Sequence, residues 1–260
     1  MQPNSLPLSV FIIAKNEADR IADTIRSVKD IAGEVIVVDS GSSDNTMQVA
    51  EEQGATVYYH KWQGYGPQKR FAEDQCRHDW LLNLDADEVA SAELVQEIRT
   101  LFAGNLEDHS GYTVRVYNML PGETHIPSRT QMNTCLRLYN KNYGRFSNSP
   151  VHDSVILREG TEAALKSPVH HPSFRSLDHA IDKLNRYSTM QAEDMLAKRS
   201  PFFTLRLLFE FPACFIKAYF FRGYVFRGVR GFSYAMVYAF SRFSRLAKYH
   251  EMKLLRDKQP

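Results

Sequence analysis

The sequence predicts an α/β fold built on a mainly parallel sheet. Three observations predict it. Short apolar runs rich in Val and Ile recur through the first 105 residues, helical patterns separate them, and polar residues gather where the runs end.

The elements follow in order. LSVFIIA (8–14) reads as a buried strand. Asn16 is placed to cap the next helix, with Asp19 at the capping-box position and Ile21, Ile25 and Val28 as its apolar stripe. EVIVVD (34–39) is the second strand, followed by the loop SGSSDN and a helix ending near Gly54. TVYY (56–59) is the third. A loop with Gly64 and Gly66 then leads into a polar helix around 67–77. DWLLNLDADE (79–88) has a narrow apolar core, which places Asp85 and Asp87 where the strand leaves the sheet, before a helix capped by Ser91. GYTVRVYN (111–118), NTCLRLYN (133–140) and SVILRE (154–159) read as β-segments without intervening helices, a mixed extension of the sheet. A further strand, ALKSPV, ends at His170 and His171. Residues 176–199 form an amphipathic helix with Leu177, Ile181, Leu184 and Tyr187 on one face, and Pro201 opens a C-terminal tail.

Composition excludes several classes. With 43% apolar and 24% charged residues, the 260-residue chain has globular rather than disordered character. Cys76, Cys135 and Cys214 are widely spaced and form no CxxC pair, so zinc and dithiol chemistry are not expected and a reducing compartment is. The N-terminus lacks a basic, cleavable leader pattern. The net charge of +2 conceals an asymmetry: from Lys198 onward there are 13 Lys and Arg against 3 Asp and Glu, whereas residues 1–197 hold 19 against 27. The same tail carries 16 of the 31 aromatic residues.

In open α/β sheets ligands gather at the carboxyl ends of strands. Three such ends carry polar residues: Ala14, Lys15, Asn16 and Glu17; Asp39 with Ser40, Ser42, Ser43 and Asp44; and Asp85 with Asp87. No GxGxxG follows the first strand and no GxxxxGK[ST] occurs, which counts against a dinucleotide-binding Rossmann domain and a P-loop ATPase. Asp39 suits the donors of a base imide or ribose hydroxyl, and suits equally a turn-opening role in SGSSDN. Asp85 and Asp87 suit Mg²⁺ or Mn²⁺ bridging to a diphosphate. His171 is a candidate third ligand, with a packed histidine as the alternative. Lys69, Arg70, Arg129 and Arg137 are candidate phosphate partners by charge.

Together, IIAKNEADRI, VIVVDSGSSDNT and WLLNLDADE resemble the family-2 glycosyltransferases of the GT-A, nucleotide-diphospho-sugar transferase fold. The resemblance implies a GT-A catalytic domain over 1–199, with a nucleotide- and metal-binding half at 1–105 and an acceptor-side half at 106–175. It makes Asp39 and Asp44 nucleotide-binding acids, with Asp39 at the base, and gives Ala14, Asn16, Glu17, Ser40, Lys69 and Asp85 to the donor site. It makes Asp85 and Asp87 the metal-binding pair. WQGYGPQKRFAEDQ (62–75), NTCLRLYNKNYGRF and VHDSV look like the branch that adds glucose or related sugars to the lipopolysaccharide inner core; many members read VHE where this chain has Val151, His152 and Asp153. The family inverts anomeric configuration, which needs one base. Asp153 is the first choice and Glu88 the second. A UDP-sugar is the favoured donor.

The tail mixes aromatic rings with Arg and Lys, but Arg206, Glu210, Lys217, Arg222, Arg227 and Arg230 interrupt every apolar run before it reaches spanning length. A helical, amphipathic tail over 200–260 is therefore expected to lie on a membrane, peripherally, at the cytoplasmic face of an inner membrane bearing a lipid-linked saccharide acceptor. Packing on the catalytic domain or a homodimer interface would use the same residues. No nucleic-acid module is legible. Two other functions compete: a sugar-nucleotide nucleotidyltransferase, whose Gly-rich loop after the first strand Ala14-Lys15-Asn16-Glu17 does not supply, and a membrane-bound binding protein with a decayed site.

Overall fold

The computed structural model describes residues 5–104, 106–127, 132–150, 153–198 and 203–256. These fall into two compact units, one of residues 1–118 and 132–171 and one of residues 119–131 and 172–260. Pro201 and Arg129 lie outside the described residues.

The first unit is an α/β sheet domain. In chain order its elements are β1 (Leu8–Ala14), α1 (Ile21–Val28), β2 (Glu34–Asp39), α2 (Thr46–Glu52), β3 (Thr56–Tyr59), α3 (Tyr65–Gln75), β4 (Trp80–Asp85), β5 (Val89–Ala90), α4 (Ala92–Ala103), β6 (Gly111–Asn118), β7 (Asn133–Asn140), β8 (Gly144–Phe146), β9 (Val155–Leu157) and β10 (Glu162–His171). Eight strands form one sheet in the order β3-β2-β1-β4-β7-β6-β10-β5. β3, β2, β1 and β4 are parallel, β7 is antiparallel to both β4 and β6, and β10 runs parallel to β6. This is the mainly parallel sheet with a mixed extension that the GT-A resemblance implied.

β1 and β4 are buried on both faces because helices cover them, which is why their sequences are near-continuous apolar runs. Leu8, Val10, Ile12, Leu82 and Leu84 face the larger core with Ile21, Ile25 and Val28 of α1 and Leu94 and Ile98 of α4. Phe11, Ile36, Val38 and Leu81 face the other side, against Ala72, Cys76, Tyr139 and Phe146. Ser91 caps α4, accepting a hydrogen bond from the Leu94 N–H at 3.1 Å. β5, a two-residue strand antiparallel to β10, had no sequence signature. SVILRE contributes only β9, which pairs with β8 in a separate two-stranded sheet.

One capping assignment is corrected. α1 starts at Ile21 with Arg20 at its N-cap and no side-chain cap, so Asn16 does not cap it. Asn16 instead adopts a left-handed backbone, φ 57°, which asparagine tolerates better than most residues.

The second unit is helical: α5 (Leu177–Lys198), α6 (Phe203–Ile216), a π-helical turn at Lys217–Phe221, a 3-10 turn at Tyr224–Arg227 and α7 (Gly228–Arg256). α5 differs from the amphipathic reading. It buries Ala180, Ser188 and Ala192, while Leu177, Ile181 and Tyr187 of the expected apolar face are exposed. The reason is close helix packing: α7 buries small residues too, Ala235 and Ala239. No helix among the described residues is long and apolar enough to cross a membrane.

Candidate active site

The carboxyl ends of β1 and β2 are stitched together. Ala14 and Asp39 are register partners, and Ser40 donates to Ala14 O through both N (3.0 Å) and Oγ (3.2 Å). Asn16 Oδ1 accepts from Ser43 N at 2.8 Å, and Asn16 N donates to Ser42 Oγ at 2.8 Å. Glu17 N donates to Thr46 Oγ1 at 2.8 Å, and Ala18 N to Asp44 Oδ2 at 3.2 Å. Burial disfavours the charged Asp44 carboxylate, but hydrogen bonds from the Thr46 side chain and from the Thr46 and Ala18 backbone outweigh it, so its pKa is lowered.

Asp39 is fully buried at the end of β2. Its Oδ1 accepts from Gly41 N (2.7 Å) and Ser42 N (2.8 Å), and its Oδ2 from the Ser42 hydroxyl. The turn-opening role foreseen for this residue is therefore real. A carboxylate has about four acceptor positions, so three internal donors do not exhaust it.

The end of β4 is a charged cluster. Asp85 is gripped by Lys69 Nζ at 3.0 Å on Oδ1 and by Arg137 Nη2 at 3.0 Å on Oδ2. Burial would raise its pKa; the Arg137 and Lys69 charges overwhelm that and hold the carboxyl well below the usual range. Asp87 pairs with Arg20 Nη1 (3.1 Å) and His171 Nε2 (3.2 Å). Burial opposes both charges of the Asp87–His171 pair, yet the shared hydrogen bond lowers the Asp87 pKa and raises that of His171. Lys69 and Arg137 are nearly buried cations paired with Asp85, and Arg70 has no ion-pair partner among the described residues.

Asp85, Asp87 and His171 do not converge as one ligand set; the described residues contain no group of three His, Cys, Asp or Glu side chains poised around a metal. Asp85 turns to Lys69 and Arg137, whereas Asp87 turns to Arg20 and His171. A divalent ion nonetheless fits the chemistry. Arg20, Lys69, Arg137 and His171 face five carboxylates, Glu17, Asp85, Asp87, Glu88 and Asp153, so the cluster carries at most a small excess of negative charge. Hard ions such as Mg²⁺ need only one or two protein carboxylates when a diphosphate and water supply the rest.

Glu88 lies behind this cluster, 1% exposed, with Oε1 2.6 Å from Arg137 Nη2 and Oε2 accepting from Asp85 N at 2.9 Å. Burial raises its pKa despite the Arg137 charge. This placement lets Glu88 orient Arg137 and Asp85. Asp153 is different: its side chain is 27% exposed and its Oδ2 lies 2.5 Å from Lys69 Nζ.

Two glycines explain how Asp153 arrives there. Gly64, at φ 117°, and Gly66 let α3 begin against the segment before Asp153: Tyr65 N donates to Pro150 O and Gly66 N to Ser149 O, both at 3.0 Å. A Cβ at Gly66 would stand 2.2 Å from Ser147 O. Val151 and His152 lie outside the described residues. Sequence reading missed Arg20, which bridges Glu17 and Asp87, although its place three residues after the strand-end Glu17 was a usable signal.

Acids gather at the strand ends of a mainly parallel sheet, and a buried lysine joins the β4 acid to a later, accessible one, which makes this the candidate ligand site. The Glycosyl transferase family 2 model matches residues 9–163, and the chain belongs to that family: it is a glycosyltransferase. Over 260 residues it is 42% identical to a glycosyltransferase of Rickettsia felis, covering 96% of this chain and 92% of that one. Over 259 residues it is 32% identical to the lipopolysaccharide core biosynthesis glycosyltransferase LpsC of Rhizobium meliloti, covering 95% and 94%.

Proposed function

We propose that this enzyme transfers a hexose, glucose by preference, with inversion from a nucleoside-diphosphate sugar of the UDP class to a saccharide of the lipopolysaccharide-core type carried on lipid. The observation that carries the reading is the Lys69 bridge between Asp85 and Asp153. It supports one site with a diphosphate side and an acceptor side. The name of the Rhizobium relative supports the acceptor class.

In this reading the loops after β1 and β2, with Asn16, Asp39, Ser40 and Asp44, hold the nucleoside, and Asp39 meets the base or ribose with its remaining acceptor capacity. Asp85 and Asp87 would hold Mg²⁺ or Mn²⁺, which neutralises charge growing on the departing diphosphate. Lys69 fixes Asp153 through Oδ2, so that Oδ1 takes the proton of the acceptor hydroxyl. The hydroxyl oxygen then bonds to the anomeric carbon as that carbon's bond to the diphosphate oxygen breaks.

The helical unit is assigned to the membrane surface at the cytoplasmic face. Val229, Phe232, Met236 and Phe240 form one exposed apolar stripe on α7, and Leu208, Phe209 and Phe221 are exposed as well. With 13 basic against 3 acidic residues from Lys198 onward, such a surface suits anionic lipid.

Calorimetric titration with UDP, GDP and CDP, with and without Mn²⁺, tests the donor reading. Metal-dependent binding of UDP, lost in Asp39→Ala, is expected; metal-independent binding, or preference for another nucleotide, overturns the corresponding part. Co-sedimentation with anionic and neutral vesicles tests the membrane reading, which fails if the two retain the protein equally or not at all.

A further inference from the structure

Trp62 and Tyr65 stand out on the sheet domain. Both are large aromatics with more than two fifths of their surface exposed, 42% and 43%, and their rings meet edge to face with centroids 4.9 Å apart. Exposed aromatic pairs lose favourable burial, so a pair held in fixed geometry marks a surface suited to a partner. The chain's other tryptophan, Trp80, is 4% exposed and belongs to the core.

Their position relates them to the acceptor side of the site. Tyr65 opens α3, and its backbone N–H is bonded to Pro150 O in the segment that leads to Asp153. Lys69 follows four residues later, one helical turn and about 6 Å along the axis, on the same face of α3. Lys69 in turn holds Asp153. The aromatic pair, the lysine and the candidate base are thus carried by one helix end and the strand of chain clamped to it. The β2 end has its own exposed aromatic, Tyr59, whose ring lies 3.7 Å from where a Cβ on Gly41 would be, next to Asp39.

A pyranose ring presents a face of C–H groups between rings of hydroxyls. Its natural complement is a flat aromatic surface flanked by carboxylate and ammonium groups, the former taking apolar C–H bonds and the latter the hydroxyls. We infer that the face of Trp62, braced edge to face by Tyr65, is a stacking platform for a sugar ring of the acceptor saccharide, delivering its hydroxyl to Asp153. The inference rests on the reading of the Lys69–Asp153 pair as the acceptor side.

Because Trp80 is buried, tryptophan emission that responds to added saccharide reports on Trp62. The probe is the deacylated core oligosaccharide released from a rough-type lipopolysaccharide, titrated into the full-length protein with and without UDP and Mn²⁺. Saturable quenching or a blue shift is expected, and Trp62→Phe should abolish the signal. Trp62→Ala and Tyr65→Ala should each raise the acceptor KM about tenfold, the equivalent of ~1.4 kcal/mol, with kcat and UDP affinity nearly unchanged. An unchanged acceptor KM in the double alanine variant overturns the platform. So does loss of UDP affinity, which would give the pair to the nucleobase. The outcome is separable from the base assignment: quenching by oligosaccharide together with an active Asp153→Asn enzyme removes Asp153 as base and keeps the platform, whereas an inactive Asp153→Asn enzyme without any Trp62 response removes the platform alone.

Discussion

Lys69 Nζ lies 2.5 Å from Asp153 Oδ2 and 3.0 Å from Asp85 Oδ1, so one buried ammonium joins the end of β4 to a segment that follows β8. Asp153→Asn keeps the shape of the side chain and removes its basicity. Turnover is expected to fall about 10²–10⁴-fold with nucleotide affinity retained. Lys69→Met should reduce both, because it also leaves Asp85 with Arg137 alone. Steady-state kinetics paired with UDP titration separate the two variants; equal effects of both on nucleotide affinity would contradict the division of labour.

Gly66→Ala tests the clamp that brings Asp153 into place. The added methyl group would meet two backbone oxygens, Ser147 O at 2.2 Å and Ser149 O at 2.5 Å, neither of which can rotate away. A stability loss of ~2 kcal/mol is expected from overpacking, with a disproportionate loss of kcat as the 147–150 segment lifts. Denaturant unfolding and turnover at a temperature well below the transition check it.

Glu210 is the electrostatic centre of the helical unit. Arg245 Nη2 lies 2.6 Å from its Oε1, Arg242 Nε 3.8 Å from the same oxygen, and Arg206 Nη2 3.7 Å from Oε2. Burial and the neighbouring Arg242 lower the Arg245 pKa, and Glu210 counteracts them. Removing the carboxylate in Glu210→Ala strands Arg245, which is 8% exposed, and should cost about 3 kcal/mol in chemical denaturation of the full chain. Little change would mean that the arginines reach solvent.

Cys76 is 4% exposed against the second face of the sheet, and burial, reinforced by the Glu34 charge, pushes its thiol up to about 12. Only the thiolate is nucleophilic, and its fraction grows only as pH approaches that value. Iodoacetamide near neutral pH should therefore leave Cys76 unmodified in the native protein and modify it after denaturation. Peptide mass mapping reads the difference; rapid native alkylation would show that the α3–sheet interface opens.

Asn16 and Asp39 mark the limit of local reading. A polar residue after a strand and before a helical stripe looks like an N-cap, and Asn16 has that position. Its actual partners, Ser42 and Ser43, come from the next strand end and are supplied by the parallel register of β1 and β2. The apolar spacing of α5 likewise marks a helix correctly and its buried face incorrectly. Spacing records where large side chains lie, but α5 packs on α7 through small ones.

The sequence alone determined most of the strands, β5 and β8 excepted, most helix positions and the strand-end acids, because alternation, buried apolar runs and capping are local consequences of residue type. It also carried enough of the family's motifs to name the enzyme class. Only the tertiary structure decided which charges meet. Lys69 and Arg137 read only as candidate phosphate partners by charge, and they are nearly buried, paired with Asp85. Glu88 reads as a second base and is sealed behind Arg137, and Asp153 reaches the site through a clamp that two glycines permit. These are pairings between segments distant in sequence, set by strand order and close backbone approach, and neither is written in the spacing of nearby residues.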